Sequence, residues 1–155
     1  MEKNLPERKH PAHPSSVERH NAPTVLFVTV RAQAVEFELT TQRVHDGLIA
    51  AWRGADHWHV GPYLIMPDHV HLFCVPGIIH PLGVNVWCKY WKGQLRRILG
   101  LGETVWQRDC WDTQMRDREH YEEKRSYVQM NPVRKQLVKE PEEWPWQGHL
   151  TEIRW

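Results

Sequence analysis

The chain has 155 residues, with 20 basic and 19 acidic side chains and a net charge of +1. This length fits one domain, and the near-neutral charge does not by itself indicate a nucleic-acid-binding protein. Three widely spaced cysteines without a C-x-x-C pair argue against a disulfide framework or a closed zinc site and favour reduced thiols in a cytoplasm. No stretch is long and apolar enough for a membrane span, so we expect no membrane partner.

The first elements in chain order are an arm, a strand and a helix. Residues 1–23 combine prolines, charges and histidines, which predicts a flexible or loosely packed N-terminal arm. The β-branched, apolar run at 24–30 predicts a central strand with both faces covered. Thr40 or Thr41 then precedes apolar residues at helical spacing, which predicts a capped helix over 42–53.

A hairpin, a second helix and a further strand follow. Two apolar runs, 59–66 and 69–75, flank a Pro-Asp turn and predict a β-hairpin. An apolar stripe at helical spacing over 84–99 predicts a helix. The valine, tryptophan and threonine content of 104–115 favours a strand.

The last predicted elements complete a recognisable order. Residues 118–130 predict a third helix that ends before Pro132, because proline disfavours a helical residue before it. The aromatic segment over 140–155 is interpreted as an extended C-terminal tail, which leaves one globular domain over 24–139. The element order predicts an α+β fold of the ferredoxin-like βαββαβ type, with an antiparallel sheet and helices packed on one face.

Two histidines separated by one apolar residue begin the second strand of the hairpin, in the segment MPDHVHLF at 66–73. Side chains at i and i+2 share one face of a strand. His69 and His71 can therefore direct two imidazoles at one metal ion while Val70 faces the core. Two neutral imidazoles would suit Zn²⁺ or Cu²⁺ as well as other ions, so the spacing does not select the metal.

A second pair, His57 and His59, repeats the pattern. If Met66 faces His69 across the hairpin, His59 lies opposite Pro76. The two pairs are then on the order of 20 Å apart along the strand. An exposed strand end is the better interpretation of the second pair.

A third constellation lies far along the chain, in SYVQMNPVR at 126–134. On a helix, Tyr127 and Asn131 would project from one face, with Arg134 about a turn further on. Gln129 lies roughly 200° around the helix from the tyrosine, so Asn131 is better placed beside it. The alternative is a core tyrosine followed by an asparagine that caps the helix. Considered in isolation, the segment favours this alternative.

Basic side chains recur on the second predicted helix and around the tyrosine segment. On the second helix, a solvated face is at least as good an explanation as a phosphate-binding stripe. The candidates for nucleic-acid contacts are Lys89, Lys92, Arg96, Arg97, Arg125 and Arg134.

The segments MPDHVHL (66–72), VWQR (105–108) and YVQMNPVR (127–134) together resemble the HUH transposases with a single catalytic tyrosine. The similarity is strongest to the REP-associated tyrosine transposases of bacteria and extends from about Phe27 to Trp146. The resemblance implies a ferredoxin-like, HUH transposase-like catalytic domain over 24–139 in a bacterial cytoplasm.

The resemblance also implies an activity: metal-dependent nicking and strand transfer of single-stranded, hairpin-forming DNA in transposition. Tyr127 would be the nucleophile that forms a 5′-phosphotyrosine, and His69, His71 and Asn131 would bind Mg²⁺ or Mn²⁺. Because that linkage conserves the bond energy, we expect no nucleotide cofactor. The chain would act as a monomer or homodimer. The alternative is a DNA-hairpin-binding protein with the same fold but without transposition activity.

Overall fold

The computed structural model describes residues 22–33, 37–102 and 105–155. Almost all of the predicted N-terminal arm therefore lies outside the described residues. The elements in chain order are β1 (Leu26–Arg31), α1 (Gln42–Gly54), β2 (Trp58–Ile65), β3 (His69–Pro76), α2 (Val84–Ile98), β4 (Trp111–Gln114), α3 (Arg118–Gln129), α4 (Asn131–Arg134), a 3₁₀ turn (Pro141–Glu143) and β5 (Gln147–His149).

The strands form one antiparallel sheet in the order β4-β1-β3-β2-β5. Its first four strands and their two intervening helices have the connectivity of the ferredoxin-like fold, so the predicted fold class is confirmed. The hydroxyl of Thr41 accepts from the Val44 amide at 3.2 Å and caps α1 as predicted. Gly100, at φ 64°, follows the C-terminal end of α2.

The two faces of the sheet carry different partners because alternate residues of each strand point in opposite directions. Val70, Leu72 and Cys74 of β3 are buried in the main core, together with Leu48 of α1 and Trp91 of α2. The other face is covered by α3. There, Tyr121 packs edge-on against Phe73, and Val128 lies in a cluster with Leu64. The histidine pair of β3 belongs to this second face.

The predicted register of the hairpin is correct near the turn and wrong at the far end of the hairpin. Ile65 pairs with Val70 as predicted, but a bulge between Val60 and Tyr63 shifts the remaining pairs by one residue. His59 therefore lies opposite Val75 instead of Pro76. Pro62 explains the bulge, because proline has no N–H to donate to the ladder.

Three further segments differ from their prediction. Only Trp111–Gln114 of the segment 104–115 is a strand, although Trp106 forms an isolated bridge with Ala32. The third helix ends at Gln129, and a separate short helix, α4, begins at Asn131. Part of the predicted extended tail is β5, which pairs with β2 and adds a fifth strand to the sheet.

Candidate active site

The two histidines of β3 converge on one point. Their Nε2 atoms lie 3.1 Å apart, and the rings meet edge to face with centroids 4.7 Å apart. The Asn131 side chain, buried at 8% exposure, reaches the same point, with Nδ2 3.3 Å from His69 Nε2. The three residues predicted as metal ligands are therefore adjacent in the structure, with two nitrogen atoms and one amide facing each other.

The Nδ1 atom of each ring, which faces away from the other ring, has its own hydrogen-bond partner. His69 Nδ1 donates to Asp68 Oδ1 at 2.6 Å, and His71 Nδ1 lies 2.8 Å from Thr29 Oγ1. Thr29 is in register with His71 because β1 pairs with β3. Phe27, also on β1, stacks on the His71 ring at 5.3 Å. These contacts hold the two rings with their Nε2 atoms directed toward each other.

Burial disfavours the charged form of both imidazoles. Burial lowers the pKa of His69, although Asp68 opposes this effect. Burial also lowers the pKa of His71 to about 3, with added repulsion from His69 and from nearby cations. Burial disfavours ionisation of Asp68, but its hydrogen bond and charge attraction with His69 bring the pKa of the carboxyl below its ordinary value. Neutral imidazole is the form that binds metal ions.

Four cationic side chains raise the positive potential around the pair. Arg31 pairs with His69 across β1 and β3 and acts electrostatically on both histidines. Lys135 acts on His69, whereas Lys124 and Arg134 act on His71. Arg31 and Lys135 were missed from the sequence, whereas Lys124 is one of the basic side chains that the sequence places around the tyrosine segment. Lys124 precedes the tyrosine by nearly one helical turn, but Arg31 joins the site only through strand pairing, for which its own segment gives no signal.

Tyr127 lies on the α3 side of the sheet, like the histidines, but the residue is 63% exposed. The Arg134 guanidinium carbon lies 3.8 Å from the ring centroid, and Arg134 Nη1 donates to the Tyr127 carbonyl oxygen at 2.7 Å. Lys124 Nζ lies 5.9 Å from the Tyr127 ring and 5.4 Å from the Phe27 ring. Lys124 therefore connects the tyrosine with Phe27, which stacks on His71.

The predicted common face of Tyr127 and Asn131 is not observed. Because α3 ends between them, Asn131 turns inward while the tyrosine faces solvent. The alternative of a core tyrosine with an asparagine cap is also wrong, since Tyr127 is exposed and Met130 is the cap residue. Gln129 is exposed and lines a cavity of about 310 Å³ that also borders His71 and Arg125.

The basic residues predicted on α2 lie away from the histidines, since α2 packs on the opposite face of the sheet. Lys89 and Arg97 are exposed, and Arg96 donates to the carbonyls of Leu101 and Gly102 beyond the helix end. The prediction for Lys92 is corrected. Its side chain is buried, and Nζ donates to the Gln107 and Asp109 carbonyls at 3.1 and 3.3 Å. A lysine beside Trp91 can bury its stem in this way.

The other candidate sites are less suited to metal binding. His59 is exposed, and His57 Nδ1 accepts from the Leu82 amide at 3.0 Å, so His57 has a local structural role. Within 22–33, 37–102 and 105–155, no group of three or more histidine, cysteine, aspartate or glutamate side chains is placed to hold a metal ion. A metal bound at His69 and His71 would therefore need an amide or water as its third ligand. None of the helices in those ranges is long and apolar enough to cross a membrane.

Comparison with known proteins places these features in context. The REP-associated tyrosine transposase of Escherichia coli K12 is 26% identical over 125 residues, which cover 77% of this chain and 72% of that protein. The resemblance of this chain to the REP-associated tyrosine transposases is confirmed. A solved structure of a REP-associated tyrosine transposase bound to a REP hairpin matches with a TM-score of 0.69 and 22% identity, over 86% of this chain and 82% of that one. This structure shares the fold. No family model matches the chain.

Proposed function

We propose that the chain is an HUH-type tyrosine nuclease and transposase that nicks and rejoins hairpin-forming single-stranded DNA with the help of a divalent metal ion. The observation that carries this proposal is the convergence of His69, His71 and Asn131 on the sheet face covered by the helix of Tyr127. The similarity to a transposase, and to a relative bound to a REP hairpin, supports DNA hairpins as the substrate class.

The side chains fit a divalent cation. Nitrogen atoms 3.1 Å apart can both contact one ion at about 2.1 Å, which is an ordinary metal–ligand distance. Asn131 would offer its amide oxygen, since rotation of the terminal amide exchanges its oxygen and nitrogen. A set of two imidazoles and one amide leaves room for water and phosphate, so we propose Mg²⁺ or Mn²⁺. When bound, such an ion would polarise the scissile phosphate.

Tyr127 supplies the nucleophile in this proposal. Its hydroxyl oxygen bonds to phosphorus and its proton leaves to solvent. The bond between phosphorus and the 3′ oxygen breaks, and that oxygen takes up a proton from solvent. The products are a 5′-phosphotyrosine and a free 3′-OH. A 3′-OH of another strand then attacks the phosphotyrosine, which restores the phosphodiester and the tyrosine without ATP. Because the ring is exposed, a DNA strand can reach it directly.

The cations beside the tyrosine would attract the phosphate. Lys124 and Arg134 lie near the Tyr127 ring, and both act electrostatically on His71, so a phosphate between the tyrosine and the histidines would lie in their positive potential. Their charge would offset the negative charge that grows on the phosphate oxygens. This local arrangement explains how a chain with net charge +1 can bind DNA.

The test is formation of a covalent protein–DNA product on a labelled hairpin oligonucleotide with single-stranded flanks. The wild-type protein with Mg²⁺ or Mn²⁺ should give a denaturation-resistant adduct, and Tyr127→Phe should abolish it while hairpin binding persists. Tyr90→Phe is the matched control, because Tyr90 is a similarly exposed tyrosine on α2, on the far side of the sheet. Hairpin binding by wild-type protein without any adduct would favour the non-transposing alternative, and absence of binding would refute both.

A further inference from the structure

Hydrogen bonds join four side chains of the site in one line. Asp68 Oδ1 is 2.6 Å from His69 Nδ1, and His69 Nε2 is 3.1 Å from His71 Nε2. The line ends with His71 Nδ1, 2.8 Å from Thr29 Oγ1. Every link needs one donor and one acceptor, so the proton positions on the four groups depend on each other.

When both rings are neutral, only one placement of their protons satisfies every hydrogen bond in the line. A carboxylate only accepts, so the link to Asp68 requires a proton on Nδ1 of His69 and leaves a lone pair on its Nε2. Asn131 Nδ2, at 3.3 Å, is a donor facing the same lone pair. Two lone pairs at 3.1 Å would repel each other, so His71 must carry its proton on Nε2. Its Nδ1 must then accept from the Thr29 hydroxyl.

A cation held by both rings needs a lone pair on both Nε2 atoms. We propose that Asp68 and Thr29 are positioning residues: Asp68 keeps His69 in its binding tautomer, and Thr29 allows His71 to change tautomer when the cation binds. In that change one proton leaves Nε2 for water and another is taken up from water at Nδ1, so the ring stays neutral. The Thr29 hydroxyl turns from donor to acceptor, which few uncharged side chains can do.

This inference rests on the metal dependence of the proposed function. The role of Thr29 depends on its hydroxyl group, which can rotate to donate to His71 Nδ1 or to accept from it. The residue is buried and lies opposite His71 in the β1–β3 ladder, so its oxygen stays within reach of the ring in both tautomers. Asn131 must respond as well, by turning its amide oxygen toward the cation.

The tautomers can be measured directly in protein with ¹⁵N-labelled histidine, by long-range ¹H–¹⁵N spectra at about pH 8. In EDTA we expect a proton on Nδ1 of His69 and on Nε2 of His71. Saturation with Mg²⁺ should move the His71 proton to Nδ1 and leave His69 unchanged, with exposed His59 as internal reference. A proton on Nδ1 of His71 in EDTA, or an imidazolium at either ring, would overturn the assignment.

Variants at Thr29 test the positioning role itself. Thr29→Val keeps the shape but removes the hydroxyl, so Mg²⁺ affinity from a calorimetric titration should fall about 10- to 100-fold, as for other outer-shell partners. Thr29→Ser retains the hydroxyl and should bind nearly as wild type does. Equal affinity in the valine and wild-type proteins would overturn the inference. Mg²⁺ binding without a tautomer change at His71 would also overturn it while leaving the proposed function intact, whereas absence of Mg²⁺ binding would contradict both.

Discussion

The buried imidazole of His71 makes the stability of the protein depend on pH in a defined direction. Its pKa is about 3 in the folded chain, against about 6.5 for an exposed histidine in the unfolded chain. The unfolded chain therefore takes up a proton below pH 6.5 that the folded chain does not. The stability contribution of the neutral ring is fully present above pH 6.5 and is lost as pH falls toward 3, by about 1.4 kcal/mol per pH unit.

Replacement of His71 by glutamine isolates this effect, because glutamine does not titrate. Between about pH 7.5 and 4.5, the wild-type protein should lose roughly 3 kcal/mol more of its free energy of unfolding than His71→Gln does. The assay is urea unfolding in EDTA, followed by the fluorescence of the nine tryptophans. Groups outside the hydrogen-bonded line titrate in both proteins and cancel in the comparison. Parallel pH profiles, or a His71 pKa near 6.5 in an NMR titration, would refute the reasoning.

Three further comparisons use matched pairs of residues. Lys124→Gln should reduce the slope of log binding constant against log salt concentration by about 0.7 for single-stranded DNA, measured by fluorescence anisotropy. Lys89→Gln, on the other face of the sheet, should leave that slope unchanged. Lys92→Met should cost about 1–3 kcal/mol in urea unfolding, because two hydrogen bonds from a charged donor are lost, and Lys89→Met should cost almost nothing. Asn131→Ala should weaken Mg²⁺ binding measured by calorimetry, and Gln129→Ala should not; equal effects would exclude Asn131 as a ligand.

Local patterns sufficed for the parts of the site that lie on regular elements. The Pro-Asp turn and the alternation of β3 predicted that His69 and His71 share a face, and the structure places their Nε2 atoms together. For the histidines, spacing within one segment determines the direction of the side chains. Asn131 also contacts His69, but the helical angle that favoured it over Gln129 assumed a continuous helix, and α3 ends before Asn131.

The features that were missed depend on a break between two helices and on contacts between residues far apart in the chain. The end of α3 before Asn131 separates that residue from the exposed face of Tyr127, and a continuous helical pattern does not reveal such a break. Lys92 was predicted on the exposed face, but two loop carbonyls that accept from it lie more than a dozen residues further along the chain. Arg31 enters the site through the β1–β3 register, which only the assembled sheet defines.

The contacts that build the site span long stretches of chain. Thr29 and His71 are 42 residues apart, and His69 and Asn131 are 62 apart. Contacts of this separation form only when the intervening chain has closed its loops, so no local segment can assemble the site early in folding. A chain still being synthesised would lack the proposed metal site until β1, β3 and α4 had come together. The proposed nicking activity would then report complete folding, and in urea it should disappear together with the global tryptophan signal.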